Sequence, residues 1–319
     1  MMFDIVTIGG ATLDIFFQSS QFKLIEKDGS TALCEVYNEK LDVEHAEISS
    51  GGAATNVAVA LAKLGFSSSC ITEIGDDVAG QTVMKDLTDA KVDVSQVVKV
   101  SGEHTAISAL LISQDGARTA LVYRGASRML EGTDVRWDTL QTKWIHLSSV
   151  GNAELMTNTL TWCKEHQVPL SWNPGNWELE RIKSGELKPD LSAVRVLFIN
   201  RKEAGMVLGK DLTQESDWKS EWCIVGPHIS IVTDGKNGGK YCVDGKCSEY
   251  SAKEVKVVQE TGAGDAFASG CIAGLLKEKT LVEAIEMGKE EAAAVVQQMG
   301  AKKGLLSSID LANPTPPLL

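Results

Sequence analysis

The chain has 319 residues, 43% of them hydrophobic, 23% charged and 6% aromatic, a globular composition long enough to bury roughly three quarters of its unfolded surface without help from disulfides or a structural metal. Its 31 Lys and Arg against 43 Asp and Glu leave a formal net charge of -12, which argues against nucleic acid as a partner. No apolar run approaches the about 18 residues needed to cross a bilayer, and Asp4 interrupts the first apolar stretch where a signal peptide would have its apolar core; the expectation is a soluble, cytoplasmic protein of one large domain or two.

From the N-terminus, a β-branched run at Phe3 to Ile8 is followed by a helical stretch at Ala53 to Leu64, a strand at Ser69 to Ile74 and a helix at Val78 to Ala90. Further strands are expected at Trp144 to Ser148, Val168 to Trp172, Val194 to Asn200 and Ile229 to Thr233, with helices at Asn152 to His166 and Gln214 to Val225. Near the C-terminus, Thr280 and Glu283 form a capping box, and Gly300 with Lys302 and Lys303 is read as ending the helix they open. This alternation predicts an α/β fold with a mainly parallel central sheet flanked by helices.

Residues 16–49 and 100–124 break the rhythm, reading as short strands and turns. In the second, Thr105 to Ser113 and Arg118 to Arg124 flank a Gln-Asp-Gly-Ala turn and predict a β-hairpin. Both segments are assigned to a small β-rich lid over the C-terminal strand ends, where open α/β sheets bind ligands; residues 1–15, 50–99 and 125–319 are assigned to the α/β core. The sheet edges such a lid presents predict pairing into a homodimer. Asn313 to Leu319 reads as a loose tail.

The seven cysteines are odd in number and include no Cys-x-x-Cys pair, so they are read as reduced, mostly buried thiols. The five histidines show no His-Glu-x-x-His spacing, which excludes that zinc site.

Chemistry concentrates in two glycine-rich helix starts. In Thr261-Gly262-Ala263-Gly264-Asp265, small residues let backbone amides approach an anion, phosphate above all, and Asp265 on the first turn is placed to take a proton from an attacking hydroxyl. In Gly51-Gly52-Ala53-Ala54-Thr55-Asn56, paired glycines admit a close ligand and Asn56 suits a vicinal diol. Asp77 is read as a helix N-cap. Neither a Gly-x-x-x-x-Gly-Lys-[Ser/Thr] loop nor a Gly-x-Gly-x-x-Gly fingerprint after the first strand occurs.

With Asn200-Arg201-Lys202-Glu203 and Thr233-Asp234-Gly235-Lys236-Asn237-Gly238 lying between them, these motifs in this order resemble the ribokinase-like (PfkB) carbohydrate kinases over nearly the whole chain. The resemblance implies that Asp265 is the base, that the amides of Gly262, Ala263 and Gly264 hold charge on the transferred phosphoryl group, and that Asp14, Gly51, Gly52 and Asn56 bind substrate. It further implies Asn200 and Glu203 for Mg²⁺ and its waters, and Thr233, Gly235 and Gly238 for ATP. Two departures stand out. Gln259 and Glu260 replace the family's usual Asp-Thr, whose Asp helps bind potassium in activated relatives, and Ser171-Trp172-Asn173-Pro174-Gly175 replaces a frequent Asp-x-Asn-x-Arg. The expectation is an ATP-dependent sugar kinase acting on a primary hydroxyl. The alternatives are a nucleoside kinase, for which Phe16, Phe17, Phe22, Tyr37 and Tyr123 of the lid would supply an aromatic platform, and a non-catalytic sugar sensor.

Overall fold

The computed structural model describes residues 2–27, 30–35, 37–113, 118–212 and 226–309. The N-terminal part runs β1 (Ile5–Ile8), β2 (Thr12–Gln18), β3 (Lys23–Lys27), β4 (Ser30–Cys34), β5 (His45–Gly51), α1 (Ala53–Lys63), β6 (Ser68–Gly75), α2 (Val78–Asp89) and β7 (Val97–Val100). Then follow β8 (Ala106–Ile112), β9 (Arg118–Tyr123), β10 (Ile145–Leu147), α3 (Ala153–His166), β11 (Leu170–Trp172), α4 (Asn176–Ser184), β12 (Val196–Asn200) and α5 (Arg201–Leu208). The last part is β13 (Ile229–Thr233), β14 (Gly239–Val243), β15 (Lys246–Tyr250), α6 (Ala263–Leu276) and α7 (Leu281–Val296).

Among the described residues, nine strands form the main sheet in the order β15, β14, β13, β12, β11, β10, β1, β6, β7. The pairings from β13 through to β7 are parallel, and only the β13–β14 and β14–β15 pairs are antiparallel. Covered on both faces, its inner strands read as unbroken apolar runs. Val6, Ile8, Ile145 and Leu147 point to the face packed by Leu155 and Leu160 of α3. Ile5, Val196 and Ile231 point to the other, under Val57 and Leu61 of α1, Phe267 and Ile272 of α6, and Ile285 of α7. This is the parallel α/β architecture that the alternation predicts.

A separate four-stranded sheet has the order β5, β2, β8, β9. β2 pairs antiparallel with β5 and parallel with β8, and β8 closes the expected hairpin with β9. Its inner face, with Phe16, Leu110 and Ile112, packs on Met299 beyond α7. Because β2 starts at Thr12 and β5 ends at Gly51, Asp14 and Gly51 are carried by this small sheet. β3 and β4 form a two-stranded ribbon of their own.

Several local expectations are refined. The Thr280–Glu283 capping box opens α7 as read, but the helix stops at Val296, short of Gly300. The Gln214 to Val225 helix, the hairpin turn at 114–117 and the Asn313 to Leu319 tail lie outside the described residues. The cysteine reading is corrected at one pair: Cys242 and Cys247 form a disulfide. They are direct cross-strand partners in the β14–β15 hairpin, with Cα atoms 4.1 Å apart, a register that places the two sulfurs together without any Cys-x-x-Cys spacing. Cys70, Cys163 and Cys271 are buried free thiols.

Candidate active site

The site begins where β5 hands over to α1. Asp14 on β2 is paired in register with Ser49, two residues before the end of β5, and with Ser108 on β8. One oxygen of its carboxylate points at Gly51: a Cβ there would stand 1.9 Å from Asp14 Oδ2. At Gly52, with φ +97°, a Cβ would stand 2.4 Å from the Gly10 carbonyl oxygen. Glycine at 51 leaves room for the Asp14 carboxylate to approach the turn, and glycine at 52 is required both by the backbone it meets and by its conformation. Asp14 is 5% exposed. Burial drives its carboxyl up to about 6, against the pull of the Ser108 hydroxyl and the Lys302 charge.

One turn into α1, Asn56 points its side chain across to the second helix start. Asn56 Nδ2 donates to Asp265 Oδ2 at 2.8 Å. Gly262, in a left-handed conformation, caps α6 and sets Asp265 on its first turn. Burial raises the Asp265 carboxyl, while the Asn56 hydrogen bond and the charges of Lys302 and Arg118 lower it. Asn56 Oδ1 is buried without a partner among the described residues, an acceptor left for a ligand hydroxyl. A Cβ on Gly264 would meet nothing within 4 Å, so open space lies over the helix start. Of the three amides expected to hold phosphoryl charge, that of Ala263 is already donated to the Glu260 carbonyl at 3.2 Å. Gly262 and Gly264 make no such backbone bond among the described residues.

At the C-terminal ends of two neighbouring strands, Asn200 of β12 is paired in register with Thr233 of β13. Asn200 and Glu203 form a reciprocal capping box on α5: Glu203 N–H donates to Asn200 Oδ1 at 2.9 Å, and Asn200 N–H donates to Glu203 Oε2 at 2.8 Å. The Glu203 carboxyl is raised by burial and further by the charge of Asp265. Among the described residues no group of three His, Cys, Asp or Glu stands close enough to cage a metal. The box nonetheless leaves Glu203 Oε1 outside it, which suits a hydrated magnesium ion held chiefly by phosphate and water. In the loop after β13, a Cβ on Gly238 would lie 2.0 Å from the Tyr250 carbonyl oxygen, whereas Gly235 faces open space. Tyr250 in turn stacks on Phe267 of α6, which ties the loop to the helix that carries Asp265.

Gln259 is 1% exposed. Its Nε2 donates to the carbonyls of Thr261 and Gln298, both at 3.1 Å, and its Oε1 accepts from Thr261 N–H. Asp77 is the N-cap of α2, accepting from Gly80 N–H at 2.8 Å. In the replaced middle loop, Asn173 Nδ2 donates to the Phe198 carbonyl at 2.8 Å. Two groups near the site escape sequence reasoning: Ser108, hidden in an apolar strand, and Lys302, whose place after a helix disguises it as a helix-end cation.

The chain has counterparts among known proteins. The model of the pfkB family of carbohydrate kinases matches residues 5–307. The chain belongs to this family. Among pfkB relatives it is similar to a cytidine kinase of Thermococcus kodakarensis, at 29% identity over 78% of this chain and 88% of the relative. It is 27% identical to a fructokinase of Escherichia coli over 80% of this chain and 88% of that one. Its fold matches a ribokinase of Cryptococcus neoformans var. grubii in complex with ADP, with a TM-score of 0.76, 21% identity and coverage of 95% and 96% of the two chains. As a pfkB kinase the protein is a phosphotransferase that acts on a hydroxyl group, and its fold is ribokinase-like.

Proposed function

We propose that the protein transfers the γ-phosphoryl group of ATP to a primary hydroxyl of a small sugar. The observation that carries this reading is the contact of Asn56 with Asp265 at the open start of α6. It joins a diol-binding side chain to a half-buried carboxylate beside free amides. Asp14, Asn56 and the glycine turn at Gly51 and Gly52 hold the sugar hydroxyls. Asp265, ionised, accepts the proton of the attacking hydroxyl as its oxygen bonds to the γ-phosphorus and the bond to the β,γ-bridging oxygen breaks, its electrons leaving with ADP. Amides of Gly262 and Gly264 meet the charge that builds on the equatorial oxygens. Thr233, Gly235 and Gly238 line the nucleotide. Asn200 and Glu203 would hold Mg²⁺, and the ion would supply neutralising charge to the phosphates.

The sugar reading is favoured over a nucleoside by the aromatics of the small sheet. Phe16 is fully buried in its packing core, and Tyr123 lies on the opposite face from Asp14 by strand alternation, with its hydroxyl donated to Glu103. Neither is free to stack on a base at the site. A coupled ADP-release assay over pentoses, hexoses, fructose and nucleosides tests this: turnover of a sugar supports it, and turnover confined to nucleosides overturns it.

The same reading includes two further parts. Dependence on a monovalent cation is weak, because the Gln259 amide already bridges the carbonyls of Thr261 and Gln298. The enzyme is a homodimer, joined through the outer face of the small sheet. There the rows Ile48, Ile15, Ala109, Leu121 and Leu13, Ile107, Tyr123 run across the strands, and Ile48 and Leu121 are about 60% exposed, an apolar face of the kind that marks an interface.

A further inference from the structure

The segment after α7 threads the seam between the small sheet and the main body. Met299 packs with Phe16, Leu110 and Ile112. Ala301 lies so close to the start of α6 that a Cβ on Gly262 would stand 2.6 Å from its own Cβ. Lys303 Nζ pairs with Glu47 Oε1 of β5 at 2.7 Å. Between these contacts sits Lys302, 7% exposed. Its Nζ donates to Ser50 Oγ of β5 at 2.6 Å, Thr55 Oγ1 of α1 at 3.0 Å and Asp86 Oδ2 of α2 at 2.8 Å. All three ammonium protons are used, and three separate elements meet on one nitrogen.

An ammonium in this position is expensive, since burial disfavours its charge. The lysine side chain also does more than serve Asp86. Ser50 directly precedes Gly51, and Thr55 directly precedes Asn56, so the ammonium fastens both sides of the sugar-binding turn. Its charge also acts on both carboxylates of the site, the buried Asp14 and the half-buried Asp265. The other groups around this cluster are Arg118 of β9, a second cation felt by both carboxylates, and Glu203 of α5, an acid that feels Asp265. On the far side, Lys63 of α1 donates to the Lys302 carbonyl at 3.4 Å, and the Cys70 thiol of β6, pushed up to about 11 by burial, contributes no charge at neutral pH.

We propose that Lys302 is a positioning residue for the transfer, clamping the Gly51–Gly52 turn to α1 and α2 and supplying the buried positive charge that lets Asp14 and Asp265 both stand ionised. This rests on the reading of Asp265 as the base. It assigns a lysine that touches no reacting atom a share in keeping that base unprotonated.

The test is a ¹³C NMR titration of the aspartate carboxyls in the ligand-free protein, with Asp14→Asn and Asp265→Asn used to assign the two signals. Removing the ion pair together in K302M/D86N leaves no uncompensated charge behind. It should raise both midpoints by roughly one pH unit or more, while K302R should leave them in place. Asp86→Asn alone, at a half-exposed position, keeps the lysine and removes its partner, and should lower both midpoints. Unchanged midpoints in a folded double variant, or in D86N should the double variant fail to fold, would reduce Lys302 to a seam contact and overturn the proposal. The titration needs no acceptor sugar. An absence of turnover in the substrate panel would therefore count against phosphoryl transfer and leave this outcome readable on its own.

Discussion

Asn56 and Asp265, 209 residues apart in sequence, meet at 2.8 Å across two helix starts. The bond gives the carboxylate a fixed orientation and opposes the burial that favours its protonated form. Asn56→Ala should therefore weaken both the base and the sugar contact. A hydrogen bond to a charged group contributes about 1.5–3 kcal/mol, so kcat/KM should fall roughly ten- to a hundredfold. Steady-state kinetics on the best acceptor checks this, and an unchanged kcat/KM would detach Asn56 from the site.

Asp14 predicts a stability effect of known sign. Its folded-state carboxyl is raised to about 6 by burial, above the ordinary value near 3.9, so its ionisation opposes folding. The penalty is absent below about pH 4, grows between about pH 4 and 6 and is constant above that. Asp14→Asn should accordingly stabilise the ligand-free protein by up to roughly 3 kcal/mol at pH 8 and not at pH 4, while sugar binding is lost. Denaturant unfolding at the two pH values measures the difference. Equal effects at both would mean that Asp14 is not ionised against burial.

Potassium dependence is the third prediction. Gln259 spends both amide protons on the Thr261 and Gln298 carbonyls, and a neutral amide offers a cation less than a carboxylate does. Turnover in potassium, sodium and large organic-cation buffers should agree closely. A stimulation by potassium beyond about tenfold, or roughly 1.4 kcal/mol in the barrier, would contradict it.

Association through the small sheet is the fourth. Light scattering should report twice the 34.2 kDa chain mass, and Leu121→Glu, at the β9 end of the apolar face, should give a folded monomer. A wild-type monomer at micromolar concentration rules the interface out.

The parts of this fold that were legible in the sequence are those set by local rules. Parallel strands buried on both faces announce themselves as apolar runs, as in Ile5–Ile8 and Ile229–Thr233. The Thr280 capping box fixes the start of α7, and the glycines at 51, 52, 262 and 264 mark the helix starts before any coordinates are known. What stayed hidden depends on register and long-range packing. Cys242 and Cys247 become partners only through the pairing of β14 with β15. Ser108 matters because β8 lies beside Asp14. Lys302 reads as a helix-end cation until its distant partners at Ser50, Thr55 and Asp86 surround it.

In the proposed transfer, Asp265 takes the proton of the attacking hydroxyl. Asp265→Asn keeps the size of the side chain and the start of α6 but removes the acceptor, so the sugar contacts of Asp14 and Asn56 remain. Calorimetric titration with the sugar and steady-state kinetics on one preparation of the variant measure the two effects together. The sugar dissociation constant should stay within a few-fold of wild type while kcat falls by about a hundred- to ten-thousandfold. A variant that keeps more than about a tenth of wild-type kcat, a loss below roughly 1.4 kcal/mol, would show that Asp265 is not the base.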